Sequence, residues 1–153
     1  WDSLASAPEA IAGAAQPLLI ESSTPGLQPP AYYCTRFHAY EQGNLCWQAA
    51  AEAEQATDAM ALRVWPDQQL TPAEAQRKLR DAIHAAAEPL LAGGLHRVLD
   101  LGCSVGVSTQ ALARWLISRA EQRSEPRPDS IDFDVCPEML SVARIRDPEG
   151  LVS

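Results

Sequence analysis

Two short apolar runs separated by a helical stretch constrain the fold of this 153-residue chain more than any other feature. The runs are Arg97–Leu101 (RVLDL) and Ser130–Val135 (SIDFDV), and the segment 107–122 between them has the apolar spacing of a helix. A helix between two neighbouring strands favours a parallel pair, because it can serve as the crossover connection. Pro137 then stands at the first position of another helix, which ends near Asp147. The pattern predicts a βαβα unit with the two strands side by side and parallel.

The residues before this unit are patterned as helices. Segment 44–64 is rich in helix-forming residues, and Pro66 ends it. The next helix begins at Thr71–Glu74, a capping box with proline at the first helical position, and it ends at Gly93-Gly94. Large apolar residues at helical spacing predict its buried stripe, which consists of Leu79, Ile83, Leu90 and Leu91.

Residues 1–35 carry five prolines without sustained periodicity, and this composition predicts an extended, irregular arm that lies against another surface. The hydrophobic fraction of the chain is 46%, but 26 of its residues are alanine, so the volume available for a core is small. We therefore predict an α/β protein in three parts. They are a proline-rich arm (1–35), a helical region (36–94) and the βαβα half of a doubly wound sheet (95–153).

Charge and composition exclude several classes of function. The net charge of −8 argues against nucleic acid or an anionic lipid surface as a direct partner. No apolar run is long enough to span a membrane, so we expect a soluble, intracellular protein. No metal site is predicted, because the four cysteines form no C-x-x-C pair and the histidines are dispersed (Cys34, Cys46, Cys103 and Cys136; His38, His84 and His96).

The segment DLGCSVGVST, from Asp100 to Thr109, carries the most chemistry. It lies where the first strand ends and the next helix begins, which is where ligands bind in open α/β sheets. Gly102 and Gly106 permit a tight turn and a close approach of the backbone to a ligand. Ser104 occupies the place of a central glycine, so a carboxylate or a ribose fits this turn better than a pyrophosphate. The alternative interpretation is that both glycines serve only a tight turn between strand and helix.

A second group of candidate binding residues follows the second strand. Asp134 ends that strand, where its carboxylate can accept hydrogen bonds from both hydroxyls of a ribose. Val135 and Met139 could then flank an adenine ring. The alternatives are that Asp134 caps the helix that begins at Pro137, and that Met139 belongs to the core. Cys103 is predicted to be a small buried side chain and not a nucleophile, because no histidine lies close in sequence.

These two segments together resemble the class I S-adenosylmethionine-dependent methyltransferases. VLDLGCSVGVST resembles their first motif, DFDVCPEMLSVAR resembles the segment after their second strand, and the similarity spans about residues 95–146. The stretch FHAYEQGNLCWQAAAEAE (37–54) also resembles a plant and algal, plastid-targeted branch, which implies a chloroplast location. The resemblance implies that S-adenosyl-L-methionine is the cofactor and that an aromatic residue such as Tyr40 contacts it. It places the methionine part on Asp100, Gly102, Ser104 and Gly106, and the ribose on Asp134.

The chain departs from this family in the number of strands. The family has a seven-stranded sheet, and only strands 1 and 2 can be recognised here, so the sequence predicts a truncated Rossmann-like methyltransferase sheet. An open edge beside strand 1 would then need a cover, either other protein subunits or a second copy of the chain. Three functions stay open: the cofactor-binding half of a methyltransferase, a non-catalytic methyltransferase-like subunit of a larger organellar assembly, and an unrelated dinucleotide-binding domain. No residue is predicted as a catalytic base.

Overall fold

The computed structural model describes residues 8–37, 39–92 and 94–153, and it is a mixed α/β structure, mostly helical, with a small sheet. Three 3₁₀ turns, at Gln16–Leu18, Ala31–Cys34 and Glu88–Leu91, connect the elements. The helices and strands in chain order are α1 (Pro8–Ala15), α2 (Leu19–Ser22), α3 (Trp47–Val64), α4 (Pro72–Ala87), β1 (Arg97–Leu101), α5 (Val107–Arg123), β2 (Asp129–Phe133) and α6 (Pro137–Arg146). No helix in the described ranges is both long enough and apolar enough to cross a bilayer.

The two strands are parallel and pair from Arg97 with Asp129 to Leu101 with Phe133, which confirms the predicted arrangement. β1 has the predicted bounds, whereas β2 begins one residue earlier and ends two residues earlier than predicted. The outer edge of β2 is also paired. The Ser153 amide donates to the Ser130 carbonyl (N to O 2.9 Å), and the Asp132 amide donates to the Ser153 carbonyl (3.3 Å). This exchange is the hydrogen-bond pattern of a further parallel neighbour beside β2.

Local signals set the starts of α3 and α4, whereas α4 ends at Ala87, before its predicted end at Gly93-Gly94, and a 3₁₀ turn (Glu88–Leu91) follows it. α3 begins at Trp47, three residues later than predicted, because the Cys46 sulfur caps it by accepting the Ala49 amide at 3.5 Å. The capping box of α4 is present as predicted. The Thr71 hydroxyl accepts the Glu74 amide, and the Glu74 carboxylate accepts the Thr71 amide at 2.8 Å.

The predicted buried stripe of α4 is wrong. Ile83 is 58% exposed and Leu90 is 84% exposed, while Leu79 and Leu91 are only half-buried. The residues that α4 buries are instead Ala75, Gln76 and His84. α4 packs against α3 and α5, and the side chains that it buries include the polar Gln76 and His84 beside the small Ala75. The packing of neighbouring helices therefore selects a face that the largest apolar residues do not mark.

The expectation of an irregular arm is wrong for residues 8–22. This segment forms α1, a 3₁₀ turn and α2, and its prolines Pro8 and Pro17 stand in first turns, where a proline is tolerated. α1 packs against α3 and α6. Ile11 and Ala15 repeat at helical spacing and are buried in the same core as Ala50, Val105 and Val142. Residues 1–7 of the predicted arm lie outside the described ranges.

Candidate ligand-binding cleft

A cleft of about 510 Å³ opens at the carboxyl ends of β1 and β2. It brings together five predicted site residues that are up to 37 positions apart in sequence: Gly102, Ser104, Asp134, Val135 and Met139. The other residues that line it are Tyr33, Asn44, Leu45, Leu101 and Phe133. Its volume lies within the range of about 300–1,000 Å³ that is usual for small-molecule sites.

The Asp134 carboxylate joins the two turns that follow the strands. One oxygen accepts the Ser104 amide (2.8 Å), and the other accepts the Cys136 amide (2.9 Å) at the residue that precedes α6. Each carboxylate oxygen can accept two hydrogen bonds, so each retains a lone pair. Asp134 therefore organises the backbone of the site and can still accept hydrogen bonds from a ligand.

The glycine turn directs its amides into the protein. The amides of Gly102 and Cys103 donate to the Phe133 carbonyl (2.7 and 3.1 Å), and the Gly106 amide donates to the Cys103 carbonyl (3.0 Å). Ser104 has a left-handed backbone with φ 53°, which costs about 1–2 kcal/mol in a residue other than glycine. Its bond to Asp134 offsets this strain. The amides of Gly102, Ser104 and Gly106 are all used within the chain.

Two predicted site residues do not line the cleft. The Asp100 carboxylate accepts a hydrogen bond from the Thr109 hydroxyl (2.6 Å), which ties β1 to the first turn of α5. Gly106 packs against α6, where a Cβ added at this position would lie 3.0 Å from the Ala143 Cβ. In this structure both residues hold the turn against its neighbours, and neither is among the residues that line the cleft.

The aromatic residue at the cleft is Tyr33, and Tyr40 is not among the lining residues. The Tyr40 hydroxyl donates to the Glu52 carboxylate on α3 (2.9 Å), and burial together with this carboxylate raises the pKa of Tyr40 to about 12. Sequence reasoning missed Tyr33, Asn44 and Leu45. Asn44 and Leu45 belong to the segment 37–54 that resembles the plastid branch, and this resemblance was a signal for a functional role. The sequence pattern alone could not show that this segment lies at the same cleft as the glycine turn.

The strand ends are acidic. Burial, followed by the carboxylates of Asp132, Asp134 and Asp100, raises the pKa of the Cys103 thiol to about 12. Cys103 is buried and stays protonated at neutral pH, so it is a poor nucleophile, in keeping with its predicted role as a small core residue. Of these three carboxylates, that of Asp134 lines the cleft, where it favours a ligand that carries positive charge.

A second cleft of about 300 Å³ adjoins the first. The two share Leu45, Asp134 and Val135, so Asp134 stands at the boundary between them. The second cleft adds the hydroxyls of Ser22, Ser23 and Thr24 and the carboxylate of Glu138. A ligand held at Asp134 could therefore extend in two directions.

Within the described residues, no three His, Cys, Asp or Glu side chains group together as metal ligands. His84 stacks on Trp115 far from the cleft, and His38 lies outside the described ranges. The chain matches no protein-family model, no curated protein and no solved structure.

Proposed function

We propose that the cleft binds S-adenosyl-L-methionine and that the chain carries the cofactor-binding half of a methyltransferase. The observation that carries this proposal is the bond between Asp134 and Ser104, because it sets a free carboxylate lone pair beside a glycine turn at the ends of two parallel strands. Ligands bind at this position in open α/β sheets. A Rossmann-like arrangement is part of the same proposal, and the parallel pairing of Ser153 beside β2 supports it.

The charge of the cleft supports this ligand over a dinucleotide. S-Adenosylmethionine carries a sulfonium and an ammonium group, which the Asp134 carboxylate in the cleft attracts. A dinucleotide carries a pyrophosphate, which requires free amide donors. The amides of Gly102, Ser104 and Gly106 are already used within the chain.

We assign each part of the ligand to a different group of residues along the cleft. Asp134 accepts hydrogen bonds from the ribose hydroxyls, while Val135 and Met139 provide apolar surface for the adenine. The methionine part lies against Gly102 and Ser104. When bound, the cofactor supplies an activated methyl group, and these residues would hold it in position for transfer. The lining residues provide binding groups, and we assign no catalytic base among them.

Isothermal titration of the purified chain with S-adenosylmethionine and, separately, with NAD tests the proposal. We expect saturable binding of S-adenosylmethionine at one site and no measurable binding of NAD. Preference for NAD would support a dinucleotide-binding domain and overturn the proposal. The resemblance further leads us to propose a chloroplast location, which imaging of the full-length protein fused to a fluorescent protein would test.

A non-catalytic role in a larger assembly is the second candidate, and one observation favours it. Leu99 and Leu101 on β1 and Phe133 on β2 are largely exposed, with Leu101 at 71%, so the described chain leaves an apolar face of the sheet uncovered. Exposed apolar patches of this kind mark interaction sites. Light scattering combined with the same titration separates the candidates, because a stable oligomer that binds no S-adenosylmethionine would favour the structural role.

A further inference from the structure

The loop from Tyr33 to Leu45 carries Asn44, whose side chain ends in an amide, to the cleft. Phe37 and Tyr40 exchange two backbone hydrogen bonds (3.1 and 3.0 Å), and the Gly43 amide donates to the Tyr40 carbonyl (3.2 Å). Gly43 has φ 82°, and a Cβ there would overlap the Tyr33 carbonyl oxygen. The loop is thus closed against its own backbone. The next residue, Asn44, lines the cleft together with Gly102 and Ser104.

The cleft is rich in acceptors and short of donors. The amino-acid part of S-adenosylmethionine carries an ammonium group, which the acidic strand ends accommodate, and a carboxylate, which needs hydrogen-bond donors. The amides of Gly102, Ser104 and Gly106 donate within the chain. Side chains can supply such donors, and the lining residues whose side chains can donate are Tyr33, Asn44 and Ser104.

The three side chains differ in their partners. The Ser104 hydroxyl lies 3.3 Å from the Met139 sulfur and donates to it. The Tyr33 ring packs on Tyr32, with centroids 4.5 Å apart. The Asn44 side-chain amide has no hydrogen-bond partner among the described residues. Asn44 is therefore a donor that is available in the cleft.

We infer that the Asn44 side chain binds the α-carboxylate of the ligand and selects for an intact amino-acid group. The inference rests on the proposed function, and it adds a contact that the glycine turn and Asp134 do not provide. Asn44 reaches the cleft from the loop before α3, whereas the glycine turn follows β1. The amino-terminal region therefore completes the site. A hydrogen bond to a charged group of this kind changes affinity by about tenfold or more.

The test compares two probes on matched variants: S-adenosylmethionine and its decarboxylated form, which lacks only the carboxylate. Asn44→Ala removes the amide, and Asn44→Asp replaces it with a like charge. Gln42→Glu is the control, because it introduces the same charge at an exposed position of the same loop. We expect both Asn44 variants to bind S-adenosylmethionine at least about tenfold more weakly, with Asn44→Asp the weaker. Asn44→Ala should bind the decarboxylated probe as the wild type does, and Asn44→Asp should bind this cationic probe at least as tightly, because it adds a carboxylate. Gln42→Glu should bind both probes unchanged.

The outcomes separate the inference from the proposed function. Wild-type affinity of Asn44→Ala for S-adenosylmethionine, or equal weakening for both probes, overturns the assignment to the carboxylate and leaves the proposed function standing. Failure of the wild type to bind either probe overturns the proposed function and the inference with it. Circular dichroism during thermal melting shows whether Asn44→Ala still folds. Loss of the cooperative unfolding transition in this variant would make Asn44 a structural residue and would also overturn the inference.

Discussion

The Ser104 amide and the Asp134 carboxylate are 30 positions apart in sequence and form a hydrogen bond of 2.8 Å. This bond connects the turn after β1 to the turn after β2, and it holds Ser104 in a left-handed conformation that a serine seldom adopts. Asp134 is therefore both a structural acceptor and the candidate ribose ligand. The two roles use different lone pairs of one carboxylate, so a single substitution affects both.

Asp134→Asn should lower both stability and affinity. Asparagine retains one acceptor oxygen and presents an NH₂ group to either the Ser104 or the Cys136 amide, so we expect the free energy of unfolding to fall by about 1–3 kcal/mol. Binding of S-adenosylmethionine should weaken as well, because a charge-assisted contact to the ribose is lost. Urea denaturation and calorimetric titration measure the two effects.

Asp129→Asn is the matched control for that substitution. Asp129 begins β2 at the end away from the cleft, and its carboxylate is exposed and lies 3.9 Å from Arg97. We expect a change in stability below about 1 kcal/mol and no change in affinity. If Asp134→Asn behaved like Asp129→Asn in both measurements, Asp134 would have neither role.

The elements that sequence patterns predicted well are those specified by adjacent residues. The bounds of β1 and the Thr71 capping box follow from signals within a few residues, and the helix between the strands was enough to indicate a parallel pair. Asp134, Ser104 and Met139 meet at one cleft for the same reason, since the carboxyl ends of parallel strands share one edge of the sheet.

The features that sequence patterns did not predict depend on distant contacts. Ile83 is exposed because α4 packs on α3 and α5 through the face that carries Ala75, Gln76 and His84. Leu90 lies in the 3₁₀ turn that follows α4. Residues 8–22 are helical because Ile11 and Ala15 reach a core completed by α3 and α6. Asn44 reaches the cleft through a loop whose path depends on contacts between backbone atoms. The partners of α4 and of residues 8–22 lie on other helices, beyond the reach of local sequence patterns.

Arg119→Met should destabilise the chain more than any exposed substitution in α5. The Arg119 side chain is 6% exposed and binds Glu88 (3.0 Å), Glu125 (3.1 Å) and the Leu91 carbonyl (2.6 Å). Methionine preserves much of the volume but removes one of the two arginines that bind Glu88, the ion pair with Glu125 and a donor to the Leu91 carbonyl, so we expect a loss of about 2–3 kcal/mol. Chemical denaturation monitored by tryptophan fluorescence measures it.

Arg123→Met provides the control for Arg119. Arg123 also pairs with Glu88, at 2.6 Å, but its side chain is 44% exposed and makes this one described ion pair. Water replaces much of such an interaction, so we expect a loss below about 1 kcal/mol. Equal losses in the two variants would contradict the assignment of Arg119 as the buried link between α5 and the turn after α4.

The stability of the α4–α5 contact should depend on pH through His84. Its ring is buried and stacks on Trp115 with centroids 4.5 Å apart, and burial lowers the pKa of His84 from its usual value of 6.5. Asp81 opposes this shift and Arg80 reinforces it. His84 binds a proton more readily in the unfolded chain than in the folded one. The contribution of neutral His84 to stability is therefore complete above pH 6.5, and it is lost as the pH falls from 6.5 towards the lower pKa of His84 in the folded chain.

Denaturation series between about pH 7.5 and 5.5 test this expectation, since most carboxylates stay ionised in that interval. His84→Asn is the informative variant, because it removes the titrating imidazole and keeps a polar side chain at this position. We expect the wild type to lose stability across the interval and His84→Asn to vary less. An identical pH slope in the two proteins would assign the dependence to another group.

Gly43→Ala should displace the loop that carries Asn44. The residue has φ 82°, and a Cβ would overlap the Tyr33 carbonyl and approach that of Thr35 to 2.8 Å, so the backbone itself must move. Gly26→Ala is the control, because Gly26 has a similar φ of 79° but open space around it, and it should lose only the conformational term of about 1 kcal/mol. We expect Gly43→Ala to lose more stability than Gly26→Ala in thermal melts and to bind S-adenosylmethionine more weakly, because Asn44 moves with the loop. Equal melting temperatures and unchanged affinity in the two variants would show that the loop between Tyr33 and Leu45 does not shape the cleft.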